Sequence, residues 1–554
     1  MASNRWPARK VLHRQTPLAK LGAALDGRSA VRLLALLACN AICIVHAAIP
    51  YGEKASDPVE TLERQGGWQF QPRVVVRETY TDNVRLSRSN AERSEFITEV
   101  NPGFSIKNKA ARSNVDIDYS LNNYFYLRDR NRNTLNHQLN GLADFELVED
   151  LVFLDTRANI NQRAVSAFGP IGANSAQNNN NQTFRSYSIS PYVRKKFGRT
   201  ATAEARYTFS ELSSNSNSSS LSDSTGNAFL LKLDSGPAFN EWGWGGEYRR
   251  DNINFERSSD TTYESLTGNL RYRINPRLFA TSSFGYDRND YFTTGKKPEG
   301  AFWTLGADWR PSRRTSLNFS AGRRYFGNTY ALTFQHSTRR TVWDISYSQN
   351  LSTSRSQTTT PLGSTLRSSI ENNVRNDPKI APENKQATID AEVNLVRSQG
   401  IDPDAALGVN FQSNTAFIEK KWQGTLTLDF PKSELQFRAF DSVRDSSTVG
   451  TQSFLNRSGD FALSQIIKQT GVGSQWTYHL SPRNDANVGL DLSRLRLVDI
   501  GRTDNLTSLN MGIARKLSRS ADGTIGYRFV RRDSNFNPND YDENAFIGAL
   551  TVRF

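Results

Sequence analysis

Histidine is the side chain best suited to base catalysis or metal binding. After the N-terminal 48 residues, this chain has three histidines: His137, His336 and His479. A general base needs a nucleophile within hydrogen-bond reach, and a zinc site needs several close ligands. The three histidines lie far apart, each within a strand-like segment. His137 is the best hydrolase candidate, but it shares the parity of Leu135 and Leu139, which favours a histidine at the membrane interface. His336 adjoins a predicted short turn, and a structural role in that turn is favoured. We therefore expect no enzymatic activity, no cofactor and no metal.

Acidic residues offer two further candidates for chemistry. Asp116 and Asp118 could form a general acid/base pair, but alternate residues of a strand share a face, so a water-facing wall is favoured. The run Asp540–Glu543 offers oxygen ligands for calcium, yet it lacks the glycine and the later glutamate of a regular calcium loop. A plain solvated loop is the favoured interpretation there. The glycine-rich run Trp242–Gly246 is expected in a strand, where glycine lets aromatic rings pack.

Both cysteines, Cys39 and Cys43, lie in an N-terminal segment that has the features of an export signal. Basic residues precede the short apolar core Leu33–Val45, and small residues at Ala47 and Ala48 suit cleavage. We expect a signal peptide over residues 1–48, so that the mature chain has no thiol and no disulfide. Lipoprotein processing at Cys39 is the alternative.

Hydrophobic residues alternate with polar ones from about Gln69 to the end of the chain. In one segment Trp303, Leu305 and Trp309 share a parity, and Asp308 lies on the other. A period of two indicates strands rather than helices, and the polar parity is rich in Asp, Asn, Arg and Gly. The alternative is that the apolar parity forms the inner face of a soluble β-sandwich. Strands with lipid on their apolar side and water on their polar side fit the composition better.

The connections between these segments alternate between short and long, as in outer-membrane barrels. The predicted short turns are Lys107–Arg112, Glu149–Asp150, Gly198–Arg199, Pro237–Asn240, Asn275–Arg277, Pro311–Arg314, Ser337–Arg340, Pro431–Ser433, Ser481–Asn484 and Ser518–Ala521. The predicted long loops are Asp82–Ser94, Arg128–Asn133, Val165–Gln182, Ser213–Gly226, Asn252–Thr262, Arg288–Gly300, Ser352–Ser413, Asp445–Gln469, Arg494–Asn505 and Arg532–Glu543, with one tight outer turn near Gly327–Asn328.

These breaks predict an all-β, transmembrane, antiparallel up-and-down barrel over residues 69–554, with about 22 strands and a range of 16–22. Residues 49–68 would form a short periplasmic segment. Within the long loop 352–413, Asn384–Ser398 has a helical pattern. We expect a short helix there, either lying across the loop or dipping into the lumen as a lid or partial plug.

The terminal residues FIGALTVRF place Phe546, Leu550, Val552 and Phe554 on one face of a strand. This pattern resembles the C-terminal strand that bacterial barrel-assembly machinery reads as a signal. The expected location is therefore the bacterial outer membrane, and the expected partners are its lipids and that machinery.

Charge and hydropathy exclude two other classes. The net charge is +14 and the mean hydropathy is −0.59, with basic residues spread evenly rather than gathered in a stripe. Nucleic acid is therefore not an expected partner. After the leader, no run of 18 apolar residues marks a transmembrane helix.

Several segments resemble a family of outer-membrane proteins described as PEP-CTERM system-associated β-barrels. They are ETYTDNVRLS (78–87), ERSEFITEVNPGFSIK (92–107), YSLNNYFYLRDRNRN (119–133) and VEDLVFLDTRANINQRAVSAFG (148–169). The resemblance implies a link to exopolysaccharide production or exosortase-type protein sorting, with export components as partners, and it brings no catalytic motif. We expect a pore or export channel; the alternatives are a structural or assembly barrel that docks envelope partners, and a barrel hydrolase.

Overall fold

A computed structural model describes residues 67–170, 180–215, 223–256, 259–291, 297–353, 355, 415–446, 459–536 and 539–554. The predicted leader at 1–48 and the predicted helix at 384–398 lie outside these residues. Among the described residues, no helix is both long enough and apolar enough to cross a membrane.

The described chain is built almost entirely from strands, joined in places by two short 3-10 turns at Arg130–Arg132 and Gly459–Ala462. The strands are β1 Gln69–Thr81, β2 Glu95–Ala110, β3 Ser113–Tyr126, β4 Thr134–Val148, β5 Val152–Ala164, β6 Asn181–Phe197, β7 Ala201–Ser214, β8 Ser224–Ser235, β9 Trp242–Phe255, β10 Thr261–Asn275, β11 Leu278–Asp290, β12 Glu299–Ser312, β13 Thr315–Arg324, β14 Gly327–Ser337, β15 Thr341–Ser352, β16 Phe417–Asp429, β17 Ser433–Asp445, β18 Ile466–Ser481, β19 Asn484–Leu497, β20 Arg502–Lys516, β21 Ala521–Ser534 and β22 Tyr541–Arg553.

Every strand pairs antiparallel with its sequence neighbour, and the last strand pairs with the first. At this seam the register runs from Arg73 opposite Arg553 to Thr81 opposite Ala545. Closure leaves no unpaired edge, which is what a sheet in hydrocarbon requires because no water can satisfy free backbone groups there. The predicted antiparallel barrel of 22 strands is confirmed.

The two faces of the wall follow the predicted alternation. Phe96, Phe284 and Trp303 point outward with roughly half of each side chain exposed (45%, 55% and 52%). The ring of Phe284 lies over Gly268, where an added Cβ would come within 2.8 Å of the ring. Gly268 therefore lets an aromatic ring pack on the outer wall. The run Trp242–Gly246, for which such packing was predicted, lies in β9 as expected.

Strand ends differ from the predicted breaks in several places. The loop predicted at Arg494–Asn505 is only a tight turn, because β19 runs to Leu497, β20 starts at Arg502, and Gly501 takes φ 68°. Lys107 to Ala110 likewise belong to β2 rather than to a turn. At these ends the strands continue beyond the apolar band, so hydropathy no longer marks where backbone pairing stops.

Candidate functional site

The inner wall is lined by arginine–carboxylate pairs that reach over an intervening strand. Arg73 on β1 pairs with Asp118 on β3 at 2.8 Å, and Arg206 on β7 pairs with Asp155 on β5 at 2.5 Å. Neighbouring strands lie about 4.8 Å apart, so a long arginine can reach an acid two strands away. These pairs belong to the water-facing wall that the sequence predicted for Asp116 and Asp118.

The residue beneath each of these arginines is small or flat. The Arg206 guanidinium lies 3.7 Å from the ring centroid of Tyr192, on the strand that it crosses. Arg324 crosses the ring of Phe302 at 4.6 Å to reach Asp287 at 2.8 Å. Cation–π contact thus adds to the ion pair and fixes the guanidinium against the wall.

The first residues of the connection between β5 and β6, 165–170, fold inward and dock on a distant part of the barrel. Asp460, in the 3-10 turn between β17 and β18, is buried and accepts two hydrogen bonds from this connection. The Ser166 hydroxyl donates at 2.5 Å, and the Ala167 backbone N–H donates at 2.8 Å. One carboxylate therefore fastens together two connections that lie nearly 300 residues apart in sequence. We call this contact the latch.

Two arginines on the inner wall hold the same connection from another side. Arg502 and Arg532 both pair with Asp504, at 2.9 and 2.5 Å. Arg502 also donates to the Phe168 carbonyl at 3.0 Å, and Arg532 donates to the Gly169 carbonyl. Shared arginine donors thus bind the backbone of the β5–β6 connection as well as the buried carboxylate.

An apolar cluster inside the lumen completes this docking site. The Phe417 and Phe461 rings lie 5.1 Å apart, and Leu495 and Leu497 on β19 point inward and are buried. The full cluster is Ala167, Phe168, Phe417, Phe461, Ile467, Leu495 and Leu497. Buried apolar side chains on the water-facing side are explained by the connections that cover them.

The environment of Asp460 perturbs its titration. Burial raises the pKa of this carboxyl above the ordinary 3.8, while the hydrogen bonds from Ser166 and Ala167 oppose the rise. Docking therefore stabilises the neutral form of Asp460 relative to that of an exposed aspartate.

A second inward contact starts from the end of β15. Arg355 is buried and donates to Ser224 (backbone O at 3.0 Å, Oγ at 2.5 Å) and to Ser210 (backbone O at 3.1 Å, Oγ at 2.8 Å). Gly226 lies beneath it, where an added Cβ would be 2.6 Å from Nη2. Burial lowers the pKa of the Arg355 guanidinium, while the charge of Asp251 opposes this effect. The start of the predicted loop 352–413 therefore reaches the inner wall at β7 and β8.

The sequence-predicted chemical residues are not brought together. His137 lies on the outward parity and bonds the Tyr119 phenol at 2.9 Å rather than a serine. His336 bonds Thr315 at 2.9 Å near a short turn, and His479 pairs with Asp485 at 2.7 Å. Within the described part of the chain, no group of three His, Cys, Asp or Glu side chains could hold a metal ion.

The acidic run at Asp540–Glu543 does not converge on a cation. Asp540 accepts from the Ser534 backbone at 2.6 Å, whereas Asp542 pairs with Arg531 at 2.8 Å on the outer side. Glu543 points the other way and pairs with Arg528. Successive strand residues face opposite sides, so Tyr541–Glu543 belong to the wall of β22, and Asp540 lies just before it.

Of the predicted assembly residues, Phe546, Leu550 and Val552 lie on the outward face of β22, and Phe554 directly follows this strand. Phe546, Leu550 and Phe554 are 58%, 42% and 75% exposed, and Val552 shares their parity. Their role in assembly stays a prediction.

The latch is the feature that sequence reasoning missed. A usable signal was present in β19, where apolar residues occupy even positions at Leu490 and Leu492 but odd positions at Leu495 and Leu497. This change of parity marks the point where the inner face stops contacting water and begins contacting the docked connections.

A closed barrel with an apolar outer band and a polar, ion-paired interior defines an outer-membrane β-barrel protein.

No protein-family model matches the chain, and no curated protein matches it in sequence. Solved structures similar to it include the siderophore receptor PirA from Pseudomonas aeruginosa, at 10% identity and TM-score 0.43, covering 89% of this chain and 81% of that one. PirA from Acinetobacter baumannii matches at 8% identity and TM-score 0.46, covering 87% and 80%. OpdK from P. aeruginosa, solved with vanillate, matches at 7% identity and TM-score 0.33, covering 88% and 99%. The fold assignment rests on the strand pairing itself.

Proposed function

We propose that this protein is a pore or export channel of the outer membrane, narrowed on its long-loop side by docked connections. The observation that carries the proposal is that the segments inside the lumen are connections, whereas the strands of the wall leave it open. The wall presents an inward polar face, and connections are held against it: Arg355 binds Ser210 and Ser224, and the wall residues Arg502 and Arg532 bind the latched β5–β6 connection. Barrels of this strand number are wide enough that side chains alone do not fill them.

The proposed cargo is exopolysaccharide, or a component of PEP-CTERM protein sorting. This part of the proposal rests on the sequence resemblance alone. A polar wall on which many arginines are already paired with carboxylates, as Arg73 and Arg206 are, suits a neutral or weakly charged polymer better than a strongly charged one.

Single-channel recording in planar bilayers tests the pore. We expect discrete conductance steps for the intact protein and larger steps when residues 352–413 are replaced by a short linker. Absence of conductance in both proteins would contradict the pore and favour the structural barrel that docks envelope partners.

A disulfide across the latch tests the role of the β5–β6 connection. Ser166→Cys combined with Asp460→Cys places two thiols where side-chain oxygens now lie 2.5 Å apart. We expect oxidation to suppress large openings and reduction to restore them, with Asp460→Cys alone as the control. Equal conductance in both redox states would show that the latch does not control channel opening.

Gene deletion tests the cargo independently of the pore. We expect less surface polysaccharide in the deleted strain and recovery with the wild-type gene. Normal surface polysaccharide in the deleted strain, together with conductance of the purified protein, would reject exopolysaccharide as the cargo without contradicting the channel.

A further inference from the structure

A cluster of basic residues lies on the outward face of β18 and β19, on the side of the long loops. It consists of Lys468, Arg494 and Arg496, all of them exposed; we call it the outward basic patch. Lys468 lies directly opposite Arg496 in the strand register. Directly opposed residues have Cβ atoms about 5 Å apart, and like charges at this spacing are destabilising. The fold therefore keeps an arrangement that costs free energy without a ligand.

The patch differs in charge pairing from other arginines of the barrel. Among the described residues, Lys468 and Arg496 have no ion-pair partner, and Arg494 donates only to the Asn505 side-chain oxygen, at 2.9 Å. Two outward acids on β17 flank the position opposite Lys468: Asp441 accepts from the Thr470 hydroxyl at 2.6 Å, and Asp445 lies opposite Ile466. Several inner-wall arginines are paired with carboxylates, as Arg73 is with Asp118 and Arg206 with Asp155, whereas no carboxylate pairs with Lys468 or Arg496 among the described residues.

A matched region elsewhere on the outer surface shows the usual solution. Arg250 on β9 and Arg288 on β11 are also exposed and outward, but Glu264 on β10 lies opposite both of them. The carboxylate thus lies between the two arginines, with opposite charges on adjacent strands. No equivalent acid separates Lys468 from Arg496, because their strands are adjacent.

The position of the patch relative to lipid follows from the apolar side chains beside it. Val472, Leu490 and Leu492 are outward and exposed at 54%, 39% and 42%, and they lie on the same two strands toward the barrel centre. Arg494 follows Leu492 by one outward position, and Arg496 by two. The basic groups therefore lie just past the hydrocarbon band, at the level of lipid headgroups in the outer leaflet.

We propose that the outward basic patch binds the headgroup of a phosphate-bearing lipid in the outer leaflet. Phosphate oxygens accept from the Lys468, Arg494 and Arg496 donors, which offsets the repulsion between Lys468 and Arg496. The acyl chains lie against Val472, Leu490 and Leu492. One amphipathic molecule thereby satisfies both the charged and the apolar parts of this surface.

Lipid binding to the purified barrel in dodecyl maltoside micelles tests the proposal, with fluorescent bisphosphorylated lipid A as the probe. The test variant carries Lys468→Gln, Arg494→Gln and Arg496→Gln. The matched control carries Arg250→Gln, Arg288→Gln and Arg323→Gln, which removes three exposed outward charges elsewhere. Heat-modifiable gel migration confirms that each variant is folded.

We expect the test variant to bind lipid A about a hundredfold more weakly, at about fivefold per basic residue, and the control to bind like the wild type. Equal loss in both variants, or no loss in the test variant, would overturn the proposal. Inorganic phosphate provides a second arm. Displacement of lipid A by stoichiometric phosphate would identify a simple anion site and overturn the assignment to lipid.

Discussion

Arg438 and Asp491 form an ion pair of 2.8 Å although β18 runs between their strands. Gly473 makes this possible, since it lies opposite both residues in the register and has no side chain. An added Cβ there would be 2.1 Å from the Asp491 carboxylate oxygen and 3.2 Å from Arg438 Nη2. The glycine is therefore part of the ion pair's geometry.

Gly473→Ala is expected to destabilise the barrel by about 1–3 kcal/mol, because it separates the buried Arg438 from its acceptor. Urea unfolding in lipid vesicles, followed by gel mobility, measures the change. Gly246→Ala is the matched control, since no heavy atom lies within 4 Å of its added Cβ. Equal midpoints for the two variants would contradict the role of Gly473.

The latch is expected to hold more tightly in acid. The pKa of Asp460 is raised in the docked state, so docking retains a proton that the undocked state releases. This stabilisation is complete below the ordinary pKa of 3.8 and is lost as the pH rises from there through the raised value. We expect fewer large channel openings at low pH in single-channel recordings.

Asp460→Asn is expected to flatten this pH dependence because its side chain does not titrate. Glu149→Gln changes an exposed carboxylate in a short turn and serves as the control. More frequent openings in acid, or an unchanged pH profile in Asp460→Asn, would exclude Asp460 as the responsive group.

Arg355→Ala is expected to release the start of the long loop, since four hydrogen bonds to Ser210 and Ser224 are lost. Faster proteolysis after Ser352 and larger conductance would report the release. Arg199→Ala, at an exposed short turn, is the control. Gly226→Leu should give the same phenotype from the opposite side, because its side chain would occupy the position of the guanidinium. Protease resistance in both variants would contradict the docking role.

Phe554→Ala is expected to lower assembly in cells without lowering intrinsic stability. The Phe554 side chain is 75% exposed, whereas its backbone N–H bonds the Pro72 carbonyl at 3.0 Å and needs no particular side chain. The folded fraction in isolated membranes should fall, while refolding of the purified variant into vesicles should match the wild type. Loss in both assays would make Phe554 a packing residue instead.

The sequence predicted the parts of this fold that follow from solvent contact. Trp303 and Leu305 face lipid and Asp118 faces water, so alternation located the strands and assigned their faces. The same signal failed at the long-loop ends, where Arg494 and Arg496 are exposed polar residues on the outward face of a strand. Backbone pairing continues there without an apolar stripe to report it.

Residue alternation could not predict the latch, for a different reason. Ser166 and Asp460 are ordinary polar residues in connections, and their contact depends on how two distant segments fold into one lumen. Alternation describes only the local environment of a strand. It carries no information about which connections meet, although the change of parity at Leu495 marks the place where they do.

The arginines that cross a strand have a mechanical consequence. Arg73, Arg206 and Arg438 each tie a strand to its second neighbour, and the Thr81 hydroxyl bonds Glu543 across the seam at 2.9 Å. Parting two adjacent strands there breaks these links as well as the backbone ladder. Opening of the wall toward the bilayer is therefore opposed at these points, and any molecule in the lumen is expected to leave along the barrel axis.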